Sequence, residues 1–394
     1  MWESHLSDWL ELGVRWLHVI AGVVWIGTSF YFNWLNNHVR QSPDSPRGVD
    51  AELWAIHGGA FYRVMKYDKP ERLPDTLHWF KWEAYTTWMS GFALLVLIFY
   101  IDAPLFLIDP AKTSLTSLSA ALIGTGVLVL GWLFYEELSR SPLIEKPAWY
   151  GAISLILITG VAIVLSAIFT DRGAYIHVGA LLGTLMAGNV FFIIIPAQKE
   201  MVSAMEHGRD PDPEVGKHAA LRSLHNNYLT LPVLFIMVSA HFPFTYGHEW
   251  GWAILAGLMV VGVAVRHWFN LRGKGETNAW LMPTAALGMI VLALVTVPNT
   301  ERPNIDPASV SFEEGVVIVE TRCTPCHSSS PTQPGFNAPP KGIVFDTSDQ
   351  MVDQAALIRK MAVDSETMPL ANITKMTDEE RAILEVWLDE HTDG

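Results

Sequence analysis

Residues 148–169 read AWYGAISLILITGVAIVLSAIF, twenty-two positions without one charged side chain. A helix rises about 1.5 Å per residue, so about 20 apolar residues cross the roughly 30 Å hydrocarbon core of a bilayer. Outward from this stretch the same signature recurs over 9–35, 82–101, 117–135, 175–196, 228–242, 250–270 and 279–297, which makes eight predicted spans. The run at 228–242 is the shortest of them. A half-apolar composition with sixteen tryptophans among 394 residues fits the same class. The expected fold is all-α, a polytopic membrane helix bundle. The opening MWESHLSDWLEL is acidic where a cleavable signal peptide is basic, so the first run reads as a retained span.

Basic residues set the orientation, because loops kept in the cytoplasm are enriched in Lys and Arg. Arg40, Arg47, Arg63, Lys66, Lys69, Arg72 and Lys81 follow the first span; Arg140 and Lys146, then Lys199, Arg209, Lys217 and Arg222, then Arg272 and Lys274 mark the later loops on that side. The opposite loops carry only Lys112 and Arg172. Both termini are therefore expected outside the cytoplasm, in the periplasm if the membrane is a bacterial inner membrane. In the longest inner loop, ELWAIH and AFYRVMKY flank Gly58-Gly59, the pattern of a two-residue hairpin turn.

The last quarter has a different character. Residues 301–394 hold seventeen acidic against seven basic side chains, whereas residues 1–300 hold twenty-three against nineteen. Such a tail repels nucleic acid and suits a basic carrier protein. The organisation predicted is a membrane unit over 1–297, a proline-rich linker over 298–310 and a small soluble domain over 311–394.

That domain contains the chain's two cysteines, in Cys323-Thr324-Pro325-Cys326-His327. The spacing lets two thiols form thioethers with haem vinyl groups while the adjacent His327 reaches the iron, giving a covalent haem c. Met368, before Pro369, is the expected second axial ligand, ahead of Met351, Met361 and Met376, because a thioether is a soft neutral donor and proline stiffens its presentation. Helices expected over 311–322 and 377–390 complete a class I-type cytochrome c. Zinc needs four ligands and a thiol redox pair expects a βαβ setting; neither is evident in the sequence.

Within the membrane unit, ionisable groups are costly and mark cavities, partners or cofactors. His18, followed by Gly22 and Gly27, is a candidate ligand for a second, non-covalent b-type haem, with His241 or His177 as its partner; a hydrogen bond to a neighbouring helix is the competing role. Two clusters, His78 with Lys81 and Glu83, and His225 with Asn226 and Tyr228, combine hydrogen-bonding groups with aromatic rings. They suit a planar, anionic, nitrogen-rich substrate and supply a base for it. The competing role is anchoring at the headgroup level.

WLHVIAGVVWIGTSFYF (16–32), HGGAFYRVMKY (57–67), LHWFKWEAYTTWMSGF (77–92), HNNYLTLPVLFIMVSAHFP (225–243) and the CTPCH domain occur in an order that resembles the membrane-bound, cytochrome c-linked urate oxidases, or urate hydroxylases. The resemblance covers nearly the whole chain. It implies oxidation of urate to 5-hydroxyisourate in purine breakdown, with electrons leaving through the cytochrome to a soluble cytochrome or another respiratory acceptor. The first-span pattern is also similar to haem-binding membrane oxidoreductases. Two other functions fit the same layout: a quinol–cytochrome c electron conduit, and a transporter or anchor that tethers a cytochrome.

Overall fold

The computed structural model describes residues 2–67, 69–297, 302–333, 336 and 338–392, and it is mostly helical. The predicted linker falls in part outside the described residues. Helix α1 (Trp2–His38) leads into strands β1 (Ala51–His57) and β2 (Ala60–Lys66), then α2 (Trp82–Leu94), α3 (Ser117–Arg140) and α4 (Pro147–Ile168). Helix α5 (Asp171–Gly188) runs through a π-helical turn, Asn189–Ile194, into α6 (Ile195–Glu206), forming one continuous rod. After it come α7 (Pro213–Ser239), α8 (Gly251–Gly273) and α9 (Leu281–Val295), then α10 (Phe312–Arg322) and α11 (Asp378–Thr392) in the C-terminal unit.

Local chemistry sets where these helices begin. Thr116 and Ser119 form a reciprocal capping box at α3, the Thr170 hydroxyl accepts the Gly173 N–H at α5, and Asp212 caps α7 ahead of Pro213. Among the described residues, six helical rods are long and apolar enough to cross a membrane: His5–His38, Trp82–Tyr100, Ser117–Arg140, Pro147–Ile168, Asp171–Glu206 and Gly251–Gly273. Two of the eight predicted spans differ. The run 228–242 is the C-terminal half of the longer α7, and 279–297 becomes the fifteen-residue α9, about 22 Å long against a core of roughly 30 Å.

The bundle packs around α5. Of the most apolar stretch of Asp171–Glu206, 61% is buried, against 22% or less in the other five rods. Val178, Leu181, Leu182 and Leu185 meet Leu128 of α3, Leu165 of α4, Ile236 of α7 and Leu255 of α8. A Cβ on Gly179 would lie 2.5 Å from Ile236, so glycine permits that approach. The predicted hairpin forms: Gly58 and Gly59 both take positive φ, and Trp54 pairs with Arg63. Its Leu53 and Val64 face Leu35 of α1 and Val39 just beyond it, while Trp54, Ile56 and Phe61 are exposed.

In the C-terminal unit α10 and α11 cross where a Cβ on Gly315 would lie 2.1 Å from the Trp387 ring. Ile318, Phe345, Met351, Ile358, Leu384 and Trp387 form one core. Thr377 and Glu380 cap α11 reciprocally, and the Arg322 fork holds Glu380 at 2.8–3.1 Å.

Candidate active site

Helix α7 presents polar groups on two sides. On the first, His225 Nδ1 lies 2.9 Å from the Tyr135 hydroxyl of α3, and its ring stacks on Tyr150 of α4 with centroids 4.9 Å apart. Asn189, in the π-helical turn, donates to both Tyr135 Oη and Asn226 Oδ1, at 2.9 and 2.8 Å. Three residues earlier, Arg222 is fully buried, donates to Glu136 at 2.7 Å and lies over the Tyr135 ring. On the second side, the Tyr228 hydroxyl meets His267 Nδ1 at 2.7 Å, and Asn227 Oδ1 accepts from Arg266 and Asn270 of α8. A π turn widens the helix locally and frees a position to point inward, which is how Asn189 reaches its partners.

This seam is nearly but not completely satisfied. Arg222 Nε and Nη1, Asn189 Oδ1 and Asn227 Nδ2 are buried without a hydrogen-bond partner. Buried donors and acceptors without protein partners are positions for ordered water or for atoms of a ligand. Arg222 was expected in a cytoplasmic loop; α7 begins nine residues earlier and carries it into the bundle, where Glu136 compensates its charge.

The structure thus brings His225 and Asn226 into one network and gives Tyr228 a separate partner, His267 of α8. His78, Lys81 and Glu83 stand apart from both. His78 is edge-on to Phe80 at 4.5 Å, Lys81 lies over Trp82 at 5.7 Å, and Glu83 Oε2 is buried without a partner. No hydrogen bond or ring contact among the described residues joins this group to His225. Tyr135, Glu136, Tyr150, Asn189 and Arg222 were not singled out in the sequence. The isolated asparagine in the apolar run 175–196 was the one available signal.

Among the described residues, no hydrogen bond or ring contact joins His18, His177 and His241 to one another. His18 Nδ1 lies 3.0 Å from the Thr87 carbonyl and 3.1 Å from Ser90 Oγ, with its ring against Gly91, so its α2 neighbour satisfies one nitrogen. His177 is fully buried, with Nδ1 on the Gly173 carbonyl at 2.8 Å and Nε2 near the Tyr100 hydroxyl at 3.3 Å. His241 is exposed just beyond α7.

The C-terminal motif has the features of a cofactor seat. Cys323 and Cys326 are not joined in a disulfide, and His327 Nδ1 donates to the Ile343 carbonyl at 3.1 Å, which leaves Nε2 available. Cys323, Ile343 and Met368 all pack on the same core. Burial, reinforced by Cys326, pushes the Cys323 thiol up to about 12. A thiol redox pair works through a depressed thiol, so the shift runs against that chemistry. Among the described residues no three His, Cys, Asp or Glu side chains converge as a metal ion would require. Cys323, Cys326, His327 and Met368 are the residues able to hold a haem.

Between this unit and the bundle lies a cavity of about 540 Å3. One wall is the Thr367–Leu370 segment that carries Met368. The other is the segment around Phe106, the start of α5 at Asp171 and Arg172, and the Pro243–His248 turn. Thr170 fixes this wall by donating to the Phe106 carbonyl at 2.7 Å, and Lys112 bonds Asp171 at 2.7 Å.

Residues 4–297, more than half of the chain, match the family described as urate oxidase N-terminal. The chain belongs to the urate oxidase N-terminal family. The urate oxidase N-terminal match ends two residues beyond α9, so all of the helical bundle but the first two residues of α1 lies inside it and the CTPCH unit lies outside. Comparison with curated proteins and with solved structures returned no match.

Proposed function

We propose that this protein is a membrane-bound urate oxidase that passes electrons to a haem c held by its own C-terminal unit. The observation that carries the reading is the urate oxidase N-terminal match over 4–297, continuous with a unit in which His327 is oriented beside two unpaired cysteines. In this reading Cys323 and Cys326 would hold a haem covalently, His327 and Met368 would supply its iron ligands, and the Ile343 carbonyl fixes the imidazole. Bound there, a haem supplies a one-electron acceptor whose potential is raised by the thioether ligand.

The overall change is urate plus water to 5-hydroxyisourate, two protons and two electrons. Two successive electron transfers are therefore needed, each followed by onward transfer to an external one-electron carrier. The six long apolar rods support a membrane location, and the basic residues between them support placing the C-terminal unit in the periplasm of a bacterial inner membrane. The α7 seam keeps His225 and Asn226 as candidates for moving protons, since polar groups at membrane depth are costly unless used.

The test is an absorption spectrum of the purified, air-oxidised protein in detergent, taken before and after anaerobic addition of urate. Reduced c-type bands on urate addition support the reading; an added b-type band would bring His18 forward as an axial ligand. If dithionite reduces the haem and urate does not, the urate assignment fails. Reduction by a quinol in its place would favour the electron-conduit function.

A further inference from the structure

We infer that the cavity between the C-terminal unit and the bundle is the seat of the oxidised substrate, a planar aromatic anion, held by Arg172. The inference rests on the function proposed above and adds where the ring binds and what holds it.

Charge is the first argument. Arg172 makes no hydrogen bond or ion pair among the described residues. Its guanidinium is 5.6 Å from the Phe106 ring centre and 5.9 Å from that of Phe99, and its Nε is buried without a partner. Aromatic rings, not a carboxylate, hold this cation, so its donor edge remains open. The other charges of the cavity are largely neutralised by one another: Asp109 and Asp171 by Lys112, Glu366 by Arg302, and Asp364 by Arg359. Arg381 is turned into backbone carbonyls of Ala362 and Met368. Asp378 is the acid left over, on the wall opposite Arg172 in the first turn of α11.

Shape is the second argument. Phe106, Phe244 and Tyr246 give the bundle wall aromatic surface, and Pro369 and Leu370 close the opposite side. A cavity of about 540 Å3 lies within the usual range for small-molecule sites. Urate is flat, aromatic and monoanionic at neutral pH. A guanidinium fork pairs with two acceptors on one edge of such a ring, and a phenyl or phenol face covers it. The third argument is electron distance. A ring against Pro369 is one residue from Met368, the proposed axial ligand, whereas a ring in the α7 seam is separated from it by much of the bilayer. No second cofactor is needed for the shorter route.

The experiment titrates anaerobic haem reduction with urate in the full-length wild type, Arg172→Gln, Arg172→Lys and Leu370→Trp. Expected is a rise of at least tenfold in half-saturation for Arg172→Gln, with a smaller rise for Arg172→Lys, which keeps the charge but loses the planar fork. Haem content and the dithionite-reduced spectrum should be unchanged. Leu370→Trp fills the cavity from the opposite wall and should abolish reduction by urate but not by dithionite, which keeps the test available if the Arg172 variants fail to assemble. Unchanged half-saturation in Arg172→Gln, or full urate reduction in Leu370→Trp, overturns the assignment while leaving the proposed function standing. A wild-type haem that urate does not reduce is the separate outcome that removes the function itself.

Discussion

A fully buried arginine is tolerable only when its charge is answered, and Arg222 shows how lopsided such an answer is. Among the described residues Glu136 is its one ionic partner, whereas Glu136 also has the exposed Arg140 at 2.9 Å. Removing one member of a buried pair costs about 3–5 kcal/mol when an uncompensated charge stays behind. Glu136→Leu should therefore lower the thermal midpoint in detergent more than Arg222→Met, and the double substitution should recover part of the loss. Equal midpoints for the two single variants would remove the argument. At this scale the sequence pointed to His225 and Asn226 because a polar cluster before an apolar run is conspicuous. Arg222 and Tyr135 were not recognisable, since their meaning arises from contact between α3 and α7, some ninety positions apart. The three candidate haem histidines of the bundle were visible as residues, but the partners of His18 and His177 were not.

Elements were far more legible. Uncharged runs such as 148–169 predict rods directly, and Gly58-Gly59 predicts a hairpin because the turn needs positive φ twice. The run 228–242 misled because α7 carries charges in its first half and apolar side chains in its second, so hydropathy sees half a helix. Helix α11 was readable from Thr377 and the acids behind it. Substituting that cap with alanine removes an acceptor for the Glu380 N–H, at a cost of about 1 kcal/mol. Thr377→Ala in the full-length protein should speed hydrogen exchange across 378–392 roughly fivefold, the factor that corresponds to about 1 kcal/mol. Glu380 adds a pH dependence. Burial raises its carboxyl, but the Arg322 fork and the Thr377 N–H outweigh burial and hold it below the usual carboxylate range. Its stabilising contribution is present above the ordinary carboxylate pKa and is lost as pH falls through the lowered one. The protection factor of α11, exchange corrected for its intrinsic pH dependence, should fall on acidification, and Glu380→Gln should flatten that response.

For the whole molecule, charge separates the two units: a net of −10 over 301–394 against −4 over 1–300. Electron transfer to a cationic soluble carrier should slow as ionic strength rises, because exposed charges are screened within about 10 Å at 0.1 M salt. Stopped-flow oxidation of the pre-reduced protein reads this, and a rate indifferent to salt would point to a neutral or membrane-embedded acceptor. The change of charge and the CTPCH motif were readable in the sequence. The cavity beside the C-terminal unit was not, because its walls come from widely separated segments that only the folded chain assembles.

The rod Asp171–Glu206 is about 54 Å long, nearly twice the thickness of a bilayer core. Arg172 stands in its first turn and Asn189 at its π turn. A π turn is in effect one inserted residue, and one residue of α-helix is about 100° of rotation. The insertion therefore acts as a phase shift. It lets one continuous rod present Arg172 towards the cavity beside the C-terminal unit and Asn189 towards the α7 seam, while α6 is rotated as a block. Deleting a single residue there would leave Arg172 where it is and turn everything beyond it by more than a quarter of a circle.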